Sequence, residues 1–418
     1  MTRKGYLALD VLVATLATPA GLAGTYLGAL SLLSSAPKPR PGKTSIRFAV
    51  VVPAHNEALC IANTVRSLAE VDYPPANMRI VVVADNCTDE TAEVARLAGA
   101  EVMTRNDASR RGKGYALHLA FEELLDQRDV KSVQPVDAVV VVDADTVVSP
   151  NILQAFAAGL LAGEQVLQAT YRVANHDATW RTSLMAVAFA CIHDVRSIGR
   201  ERLGLSTGLR GNGMCFSAEA LRLVPHRAAS LVEDVEHGLD LGEAGIRVAF
   251  VPEASVHAEM PEHAEESASQ RERWELGRAK LKRQRLPRLV RRAAVDRDPI
   301  LADLAIDLAI APLARVSLVL GVAMVGSSLW RGLVGRWPKA IWPTGIGLVG
   351  LVGHVGVGWR QSGTGMAGFR ALLHIPGYLL WKLGLRSLRT SSPEKVLVNA
   401  TGDAEEWVRT KRNSERSQ

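Results

Sequence analysis

Two aspartates, Asp143 and Asp145, follow directly after the apolar run Ala138–Val142. A short apolar run bounded by polar residues is typical of a buried strand. Two carboxylates at the end of one strand can hold a hard divalent cation, because such cations prefer oxygen ligands. A cation with so few protein ligands usually also binds phosphate groups. The spacing therefore predicts a Mg2+ or Mn2+ site facing a phosphorylated ligand. The alternative is a solvent-exposed turn in which aspartate caps the next helix.

Three further residues share one face of a predicted helix. Gln270, Arg273 and Trp274 occupy positions i, i+3 and i+4, and no proline or glycine lies between them. Side chains with these spacings are neighbours on a helix. Arginine offers planar, fixed donors to phosphate oxygens, so an amide and an indole beside it form a platform for a diphosphate and a sugar. The alternative is a surface helix with a buried tryptophan.

Ionisable residues also occur at two predicted helix starts. Glu233 and Asp234 open a helix that we expect to run to about Leu241. A carboxylate there can accept a proton from a sugar hydroxyl, although acidic residues also favour helix N-termini for electrostatic reasons alone. The segment Arg111–Gly114 combines a flexible backbone with the cation of Lys113, which suits an anionic group. A basic surface loop is the alternative for that segment.

The elements that must position these residues alternate between apolar strands and amphipathic helices. The predicted strands are Ile46–Val52, Arg79–Ala84 and Ala138–Val142, and the predicted helices are Ala58–Ala69, Thr88–Ala98 and Lys113–Leu125. This alternation predicts an α/β fold with a parallel, doubly wound sheet. Ligands of such sheets bind at the carboxyl ends of the strands. Polar clusters that begin at Pro53, Asp85 and Asp143 all fall at such ends.

Missing motifs argue against several classes of protein. No predicted strand is followed by G-x-G-x-x-G or by G-x-x-x-x-G-K-[ST], which are typical of nicotinamide enzymes and P-loop nucleotide hydrolases. The four cysteines form no C-x-x-C pair. We therefore expect reduced thiols rather than a zinc site or a disulfide framework.

An uncharged apolar run, Val11–Leu33, is long enough to cross a bilayer. Arg3 and Lys4 precede it, and four basic residues follow it in a proline-rich linker. The positive-inside rule then predicts that the next domain is cytoplasmic. The alternative is a cleaved signal peptide, although the run is long for one and has no clear cleavage motif.

Two more apolar zones follow the polar region. The zone Leu301–Trp330 carries Asp303 and Asp307 in its first part and is interrupted by Pro312. This pattern predicts an interfacial turn that leads into a membrane span. The zone Ala340–Trp359 is glycine-rich, and a short loop joins it to the preceding zone, so the two predict a transmembrane hairpin.

The formal net charge is +6 among 418 residues, of which 48% are hydrophobic and 22% charged. Much of the basic excess precedes the second apolar zone, as Lys280, Lys282, Arg283, Arg285, Arg288, Arg291 and Arg292. A polybasic stretch beside a span predicts contact with anionic membrane lipids. The rival is nucleic-acid binding, which the lack of interleaved aromatic residues argues against.

The clusters together, in this order and spacing, resemble a family 2 glycosyltransferase. The residues that carry the resemblance are Pro53, Asn56-Glu57, Asp85, Gly112-Lys113-Gly114, Asp143-Ala144-Asp145, Glu233-Asp234 and Gln270-x-x-Arg273-Trp274. The resemblance covers residues 48 to about 280 and the membrane-flanked layout. Among family members the chain is similar to the cellulose, chitin and hyaluronan synthases.

The resemblance implies a GT-A fold and a UDP-sugar donor. Pro53, Asn56 and Lys113 are then expected on the donor side. By position, Glu57 and Asp85 would contact the uridine.

The same resemblance assigns the reacting end of the site. Asp143 would contact the nucleotide, and Asp145 would bind Mg2+ or Mn2+. Asp234, beside Glu233, would be the general base. His257 lies where some relatives have an extra metal ligand.

The helix face would close over the ligands. By the same resemblance, Gln270, Arg273 and Trp274 contact the diphosphate and the acceptor end. The segment Gly208–Gly213 falls where such enzymes have a loop on the acceptor side.

The expected function is inverting transfer from a UDP-sugar to a glycan, which builds a β-linked polysaccharide at the cell membrane. Transfer of a single sugar to a lipid or lipid-linked acceptor is the alternative within the enzyme class, and an inactive scaffold subunit is the alternative outside it. The expected domains are an anchor helix and linker (1–43), a cytoplasmic GT-A domain (44–298), a transmembrane hairpin (299–360) and an interfacial helix with a cytoplasmic tail (361–418).

Overall fold

The computed structural model describes residues 3–35, 38–126, 135–227, 230–262 and 264–377. The chain forms two compact units. The larger unit comprises Ala36–Met185 and Arg200–Leu308. Within the described residues, the smaller unit comprises residues 3–35, Ala186–Gly199 and residues 309–377.

The larger unit contains one sheet of eight strands. The strands are β1 Phe48–Ala54, β2 Met78–Asp85, β3 Glu101–Arg105, β4 Ala138–Val141, β5 Thr146–Val148, β6 Val166–Val173, β7 Met214–Ser217 and β8 Val248–Ala258. Their order across the sheet is β3-β2-β1-β4-β7-β6-β8-β5. Strands β3, β2, β1 and β4 are parallel, so their carboxyl ends lie along one edge.

Helices connect several of the strands, and further helices precede the first strand and follow the last. They are α1 Arg3–Leu32, α2 Ile61–Ala69, α3 Thr91–Leu97, α4 Lys113–Leu125, α5 Ile152–Leu161, α6 Trp180–Phe189, α7 Arg196–Arg202, α8 Ala218–Leu223, α9 Glu233–Glu243, α10 Ala264–Asp296, α11 Pro299–Ala309, α12 Leu313–Val334, α13 Ile341–Ser362 and α14 Gly365–Leu373. A 3-10 turn spans Pro75–Asn77, and a π-helical segment spans Ala190–Val195.

Strand β1 shows why these apolar runs form the centre of the sheet. Phe48, Val50 and Val52 belong to the hydrophobic cluster on one face, whereas Ala49 and Val51 belong to the cluster on the other. Successive side chains of a strand point to opposite faces, so a strand covered on both sides must be continuously apolar. Strand β4 is likewise apolar on both faces. Asp143 and Asp145, which follow it, therefore lie at the edge of the sheet.

The sheet is mixed, so the prediction of a parallel sheet holds for only part of it. Strand β7 runs antiparallel to both β4 and β6, and β5 runs antiparallel to β8. The alternation of strand and helix predicts only those strands that are joined by a crossover helix. Strand β7 has four residues and β5 has three, which is too short to give a periodic pattern.

Local hydrogen bonds explain the shifted helix starts. The backbone N–H of Cys60 donates to the carbonyl of Glu57 in a turn, so α2 begins at Ile61 rather than at residue 58. Similarly, the carboxylate of Asp89 accepts from the N–H of Thr91 at 3.0 Å, which places the start of α3 after this turn.

Three helices of the smaller unit are long and apolar enough to cross a membrane. They span Val13–Leu32, Leu313–Val334 and Ile341–Ser362, with mean hydropathies of 1.2, 1.6 and 1.4. Pro312 caps α12, so the break expected at this proline is confirmed. The segment expected to hold an interfacial helix and tail (361–418) contains α14, and its part beyond residue 377 lies outside the described residues.

Helices α1 and α13 pack backbone against backbone. A Cβ atom added to Gly28 would lie 2.6 Å from the Cα of Gly350, and Gly24 approaches Gly347 as closely. Small residues permit this approach between apolar helices, where dispersion contacts and not hydrophobic burial drive association. Within the same unit, Ser31 of α1 hydrogen-bonds the Nδ1 atom of His354 at 2.8 Å.

Candidate active site

The ammonium group of Lys113 is the centre of a cluster of carboxylates. Its Nζ atom hydrogen-bonds Asp143 Oδ1 and the carbonyl of Gly211. Burial alone would lower the pKa of Lys113, but Asp143, Glu233 and Asp234 together raise it above its usual value. The structure thus brings together four of the residues that the sequence singled out.

Helix α4 places Lys113 at this point. Gly112, the residue before the helix, has φ 132°, a conformation that L side chains rarely adopt. Apolar residues such as Leu117 and Phe121 anchor the helix in the core. A cation in the first turn of a helix is opposed by the helix dipole. The surrounding carboxylates offset this opposition.

Asn212 fixes the strand end that carries the aspartates. Its Oδ1 accepts from the N–H of Asp143 at 3.1 Å, and its Nδ2 donates to Thr146 Oγ1 at 2.8 Å. The same Thr146 hydroxyl donates to Asp145 Oδ1 at 3.4 Å. Asn212 is fully buried. The turn between β4 and β5 therefore has one defined geometry, with Asp143 and Asp145 at its two ends.

Glu233 and Asp234 form the first turn of α9. Burial, followed by the adjacent Asp234, raises the pKa of Glu233 to about 7. Burial also raises the pKa of Asp234. A Cβ atom added to Gly211 would lie 3.4 Å from Asp234 Oδ2, so glycine at 211 leaves room for this carboxylate. A carboxyl group whose pKa is raised in this way is a stronger base than a free carboxylate.

The donor atoms fit a divalent cation that completes its coordination with ligand oxygens. Among the described residues, no group of three or more His, Cys, Asp or Glu side chains converges as a metal cage. Asp143 and Asp145 provide carboxylates at one turn, which is the number that Mg2+ commonly takes from protein when phosphates supply the rest. Lys113 already neutralises part of the charge on Asp143, and this leaves Asp145 as the principal candidate ligand.

His257 lies on β8, where it pairs with Val147 of β5. Its Nε2 atom hydrogen-bonds Ser255 Oγ at 3.0 Å. Burial and then Arg172 lower the pKa of His257, so the imidazole is neutral near pH 7. Its metal-binding role stays a prediction.

The predicted nucleoside side lies at the ends of β1 and β2. Pro53 is the penultimate residue of β1, and the loop after it crosses to the loop after β2. Asn56 Oδ1 accepts from the N–H of Thr88 at 2.7 Å, and the N–H of Glu57 donates to Thr91 Oγ1 at 2.7 Å. These bonds join the two loops into one rigid surface.

Asp85 ends β2 and has a partner that the sequence did not indicate. Arg105, the last residue of β3, donates from Nη1 to Asp85 Oδ1 at 2.7 Å. Strand β3 carries charged residues at both ends and lies at the sheet edge, so no buried-strand pattern marked it. Recognising Glu101–Arg105 as the strand beside β2 would have revealed the pair.

The predicted helix face on α10 is not bonded to the carboxylate cluster within the described residues. Arg273 and Trp274 are half-buried on α10, whereas the side chain of Gln270 lies outside the described residues. No hydrogen bond or ion pair joins Arg273 to the cluster within the described part of the chain. Farther along α10, the negative charge of Asp234 acts to raise the pKa of Arg278.

Arg278 belongs to a buried network of two arginines and two aspartates. Arg200, with no exposed side-chain surface, pairs with Asp303 at 2.9 Å and with Asp307 at 3.4 Å. Arg278 pairs with Asp307 at 3.2 Å. Burial first, and then the charge of Arg200, lower the pKa of Arg278 to about 10. The network anchors α11, which carries both aspartates, to the larger unit.

Two imidazoles pack against each other, that of His226 and that of His237 on α9. The rings of His226 and His237 have centroids 4.7 Å apart, and Phe121 and Phe216 enclose them. Both ring nitrogens of His237 are buried and have no hydrogen-bond partner among the described residues. Burial lowers the pKa of His226 to about 3 and that of His237 to about 4. Both imidazoles are therefore neutral in the folded protein.

A family model described as "Glycosyltransferase like family 2" matches residues 46–277, which is more than half of the chain. The chain belongs to this glycosyltransferase family. The match begins just before β1 and ends within α10, and it includes every element of the carboxylate cluster. The predictions of a family 2 glycosyltransferase domain and of an α/β GT-A fold flanked by apolar helices are confirmed.

Curated relatives of this family 2 chain carry compatible names. The probable glycosyltransferase YdaM of Bacillus subtilis (strain 168) is 24% identical over 240 residues, which are 55% of this chain and 55% of that protein. The glycosyltransferase AglD of Haloferax volcanii is 43% identical over 83 residues, 18% of this chain and 13% of AglD. The chain spans about half the length of YdaM and a smaller part of AglD.

Solved structures of other glycosyltransferases are also similar. The mannosyltransferase PcManGT of Pyrobaculum calidifontis, in complex with GDP-Man and Mn2+, has a TM-score of 0.46 and 19% identity, covering 84% of this chain and 97% of that one. Glucosyl-3-phosphoglycerate synthase of Mycobacterium tuberculosis, in complex with Mn2+, UDP and phosphoglyceric acid, has a TM-score of 0.39 and 24% identity, covering 57% of this chain and 78% of that one.

Proposed function

We propose that this family 2 protein is a membrane-anchored, inverting glycosyltransferase that transfers a sugar from a UDP-sugar to a hydroxyl acceptor. One observation carries the proposal. The half-buried Lys113 ammonium lies beside both Asp143 of the β4–β5 turn and the Glu233-Asp234 pair of α9. A phosphate-binding group and a proton acceptor must be neighbours in such a reaction, because the leaving group and the attacking hydroxyl flank a single carbon.

The donor is proposed to lie along the carboxyl ends of β2, β1 and β4. Asp85 and Glu57 would bind the uridine, with Pro53 and Asn56 shaping the loop beneath it. Lys113 would donate to the diphosphate and so stabilise the negative charge that develops as UDP leaves.

Asp145, assisted by Asp143, would hold a divalent cation. A bound Mg2+ or Mn2+ supplies positive charge that makes the diphosphate a better leaving group. The acidic turn supports this role, since Asn212 accepts from the backbone N–H of Asp143 and the Thr146 hydroxyl donates to Asp145 Oδ1, which fixes the two residues at one strand end. His257 is the proposed further ligand.

Asp234 is the proposed general base. It would accept the proton of the acceptor hydroxyl while that oxygen attacks the anomeric carbon from the face opposite UDP. A single displacement inverts the configuration, so an α-linked donor gives a β-glycoside. The raised pKa of Asp234 supports this role, because a carboxylate with a higher pKa is a stronger base. Arg273 and Trp274 would close over the diphosphate and the acceptor.

The proposed product is a β-linked polysaccharide, as the resemblance to polysaccharide synthases implies. A second candidate is transfer of a single sugar to a lipid or lipid-linked acceptor. The three candidate spans of the described residues favour this second product, because a channel for a polymer needs a wider ring of helices. Both products need the same catalytic cluster, so product length distinguishes them.

The catalytic unit is proposed to face the cytoplasm of a multi-pass membrane protein. Basic residues flank the first apolar helix, which favours this orientation. The close packing of α1 on α13 supports a retained anchor rather than a cleaved signal peptide, because its removal would expose the glycine face of α13. Part of the polybasic stretch is paired within its own unit, as Arg285 binds Glu243 at 3.2 Å and Arg292 binds Asp296 at 3.3 Å. Exposed members such as Arg283 stay available to anionic lipids.

The test is UDP release by the detergent-purified full chain with a panel of UDP-sugars and Mg2+ or Mn2+, with product size measured in the same reaction. Asp234→Asn should lower turnover about 100-fold or more while UDP binding persists. Asp145→Ala should abolish the metal-dependent release of UDP. Glu219→Gln, which removes an exposed first-turn carboxylate of α8, is the matched control. Unchanged turnover in Asp234→Asn would refute the base assignment, and no release with any donor would favour the scaffold alternative.

A further inference from the structure

We propose that Arg105 is a positioning residue that sets the nucleobase selectivity of the donor site. By holding one oxygen of Asp85, it presents the other oxygen to an N–H group of the base and so favours uridine over cytidine nucleotides. The inference rests on the proposed function, in which Asp85 contacts the uridine.

The pair is part of the sheet itself. Asp85 and Arg105 face each other in the register of the parallel strands β2 and β3. Their side chains are 6% and 12% exposed, and Nη1 of Arg105 lies 2.7 Å from Asp85 Oδ1. A nearly buried, charge-assisted hydrogen bond of this length holds both groups more firmly than a surface pair does.

One oxygen of Asp85 is fully used by the protein. Oδ1 accepts from Arg105 and also from Asn86 Nδ2 at 3.0 Å. Oδ2 makes no hydrogen bond with any residue in the described ranges. Asn86 has φ 51°, and its Oδ1 accepts from the N–H of Asp107 at 2.8 Å, so it is fixed too. The carboxylate therefore keeps one acceptor at a defined position for a ligand.

Arg105 is itself held from several sides. Its Nη2 lies 3.1 Å from Asp107 Oδ2, and its guanidinium carbon lies 5.5 Å from the centre of the Tyr115 ring. Its Nη1 also donates to the carbonyl of Arg110 at 2.6 Å. This last bond fastens the loop that leads into Lys113. Arg105 thus connects the base-binding end of the donor site to the diphosphate-binding end.

A fixed carboxylate oxygen distinguishes nucleobases by their hydrogen-bond pattern. A carboxylate can only accept hydrogen bonds. Uracil presents an N–H donor at its ring edge, whereas cytosine presents an acceptor nitrogen at the same position. Two opposed acceptors repel each other and leave a polar group unpaired. A site built around a polar group rejects an analogue that lacks its partner much more strongly than an apolar site does.

The test compares Arg105→Lys and Arg105→Gln with the wild type in the detergent-purified full chain. Both variants should raise the KM for the UDP-sugar, Arg105→Gln by roughly 10- to 100-fold given the strength of a charged hydrogen bond. The kcat should change much less, because Asp143 and the carbonyl of Gly211 still hold Lys113 and Asp234 lies on α9. Direct titration with UDP and CDP should show the preference for UDP falling in both variants. Asp85→Asn should also reduce it, because an amide can donate to cytosine.

Arg79→Gln is the matched control. Arg79 pairs with Glu101 at 2.7 Å across the same strands β2 and β3, at their other end. This variant should leave the KM and the UDP preference unchanged, which separates loss of selectivity from general weakening of the strand pair. Arg105→Lys keeps the buried charge and so preserves folding if Arg105→Gln does not.

Wild-type binding of UDP together with unchanged KM and selectivity in Arg105→Lys and Arg105→Gln would overturn the inference and leave the proposed function intact. Failure of the wild type to bind any uridine nucleotide would instead overturn the proposed function and this inference with it.

Discussion

The paired imidazoles of His226 and His237 make the stability of the larger unit depend on pH. His226 and His237 have pKa values of about 3 and about 4 in the folded protein, compared with an ordinary value of 6.5. They stay neutral in the fold, but they gain a proton below pH 6.5 when the chain unfolds. Their contribution to stability is therefore complete above pH 6.5 and is lost as the pH falls toward the folded values.

The magnitude follows from the lowered values. Between pH 6.5 and the folded pKa, each imidazole lowers the free energy of unfolding by about 1.4 kcal/mol for every unit by which the pH falls. From pH 7 to pH 5 this amounts to about 2 kcal/mol for each ring, or about 4 kcal/mol for both. The raised pKa of Glu233 acts in the opposite direction, since the folded state then binds the extra proton. The slope of the wild type alone is therefore not diagnostic, and a difference between variants is needed.

His237→Phe isolates the effect. The ring of His237 has no hydrogen bond to lose among the described residues, and it already packs against Phe216 with centroids 5.6 Å apart. We expect the variant to lose about 2 kcal/mol less stability than the wild type between pH 7 and pH 5. Urea unfolding of the detergent-purified chain, followed by tryptophan fluorescence at both pH values, measures this difference. His176→Gln, which changes a half-buried histidine elsewhere in the same unit, is the control. Equal pH dependence in His237→Phe and the wild type would refute the reasoning.

Two glycine substitutions test packing, each against a glycine with open space. Gly24→Leu should destabilise the smaller unit by about 1–3 kcal/mol by separating α1 from α13, whereas Gly321→Leu, with no atom within 4 Å of its added Cβ, should not. Thermal unfolding in detergent measures both, and similar melting of the two variants would contradict the packing. Gly211→Ala should cost about 1–2 kcal/mol because its φ is 80°, and it should also lower UDP release because the added methyl abuts Asp234. Gly163→Ala, at φ 97° with nothing within 4 Å, should lower stability only, and equal loss of UDP release in both would refute the steric argument.

Strands buried on both faces made the site partly predictable from sequence. The apolar run that becomes β4 has no other place than the centre of a sheet, and the aspartates after it must then lie at its edge. The start of α9 was equally visible, because two acidic residues precede an amphipathic pattern. Lys113 was recognised from the glycines around it. What the sequence did not reveal is that these segments meet at a single ammonium group, because contacts between distant segments leave no local pattern.

Two further features of the structure were not predicted from the sequence, and each has a physical reason. Arg105 was not recognised because β3 is an edge strand, where one face is open and the apolar alternation is weak. The aspartates of α11 were interpreted as an interfacial feature, since carboxylates inside an apolar run usually face solvent. They instead bind Arg200 and Arg278, which lie far away in the sequence. Charge complementarity between such segments becomes visible only when the fold is known.

The charge network around α11 also determines where the catalytic part of the chain can be cut. In a chain without Asp303 and Asp307, the like charges of Arg200 and Arg278 would lose the two carboxylates that pair with them. A fragment ending at residue 298 would lack both aspartates, and breaking a buried ion pair by removing one partner costs about 3–5 kcal/mol. A fragment extended through Leu308 would keep the four charges balanced. Helix α11, which precedes two of the candidate membrane-spanning helices, therefore completes the fold of the larger unit, and a soluble version of that unit should retain it.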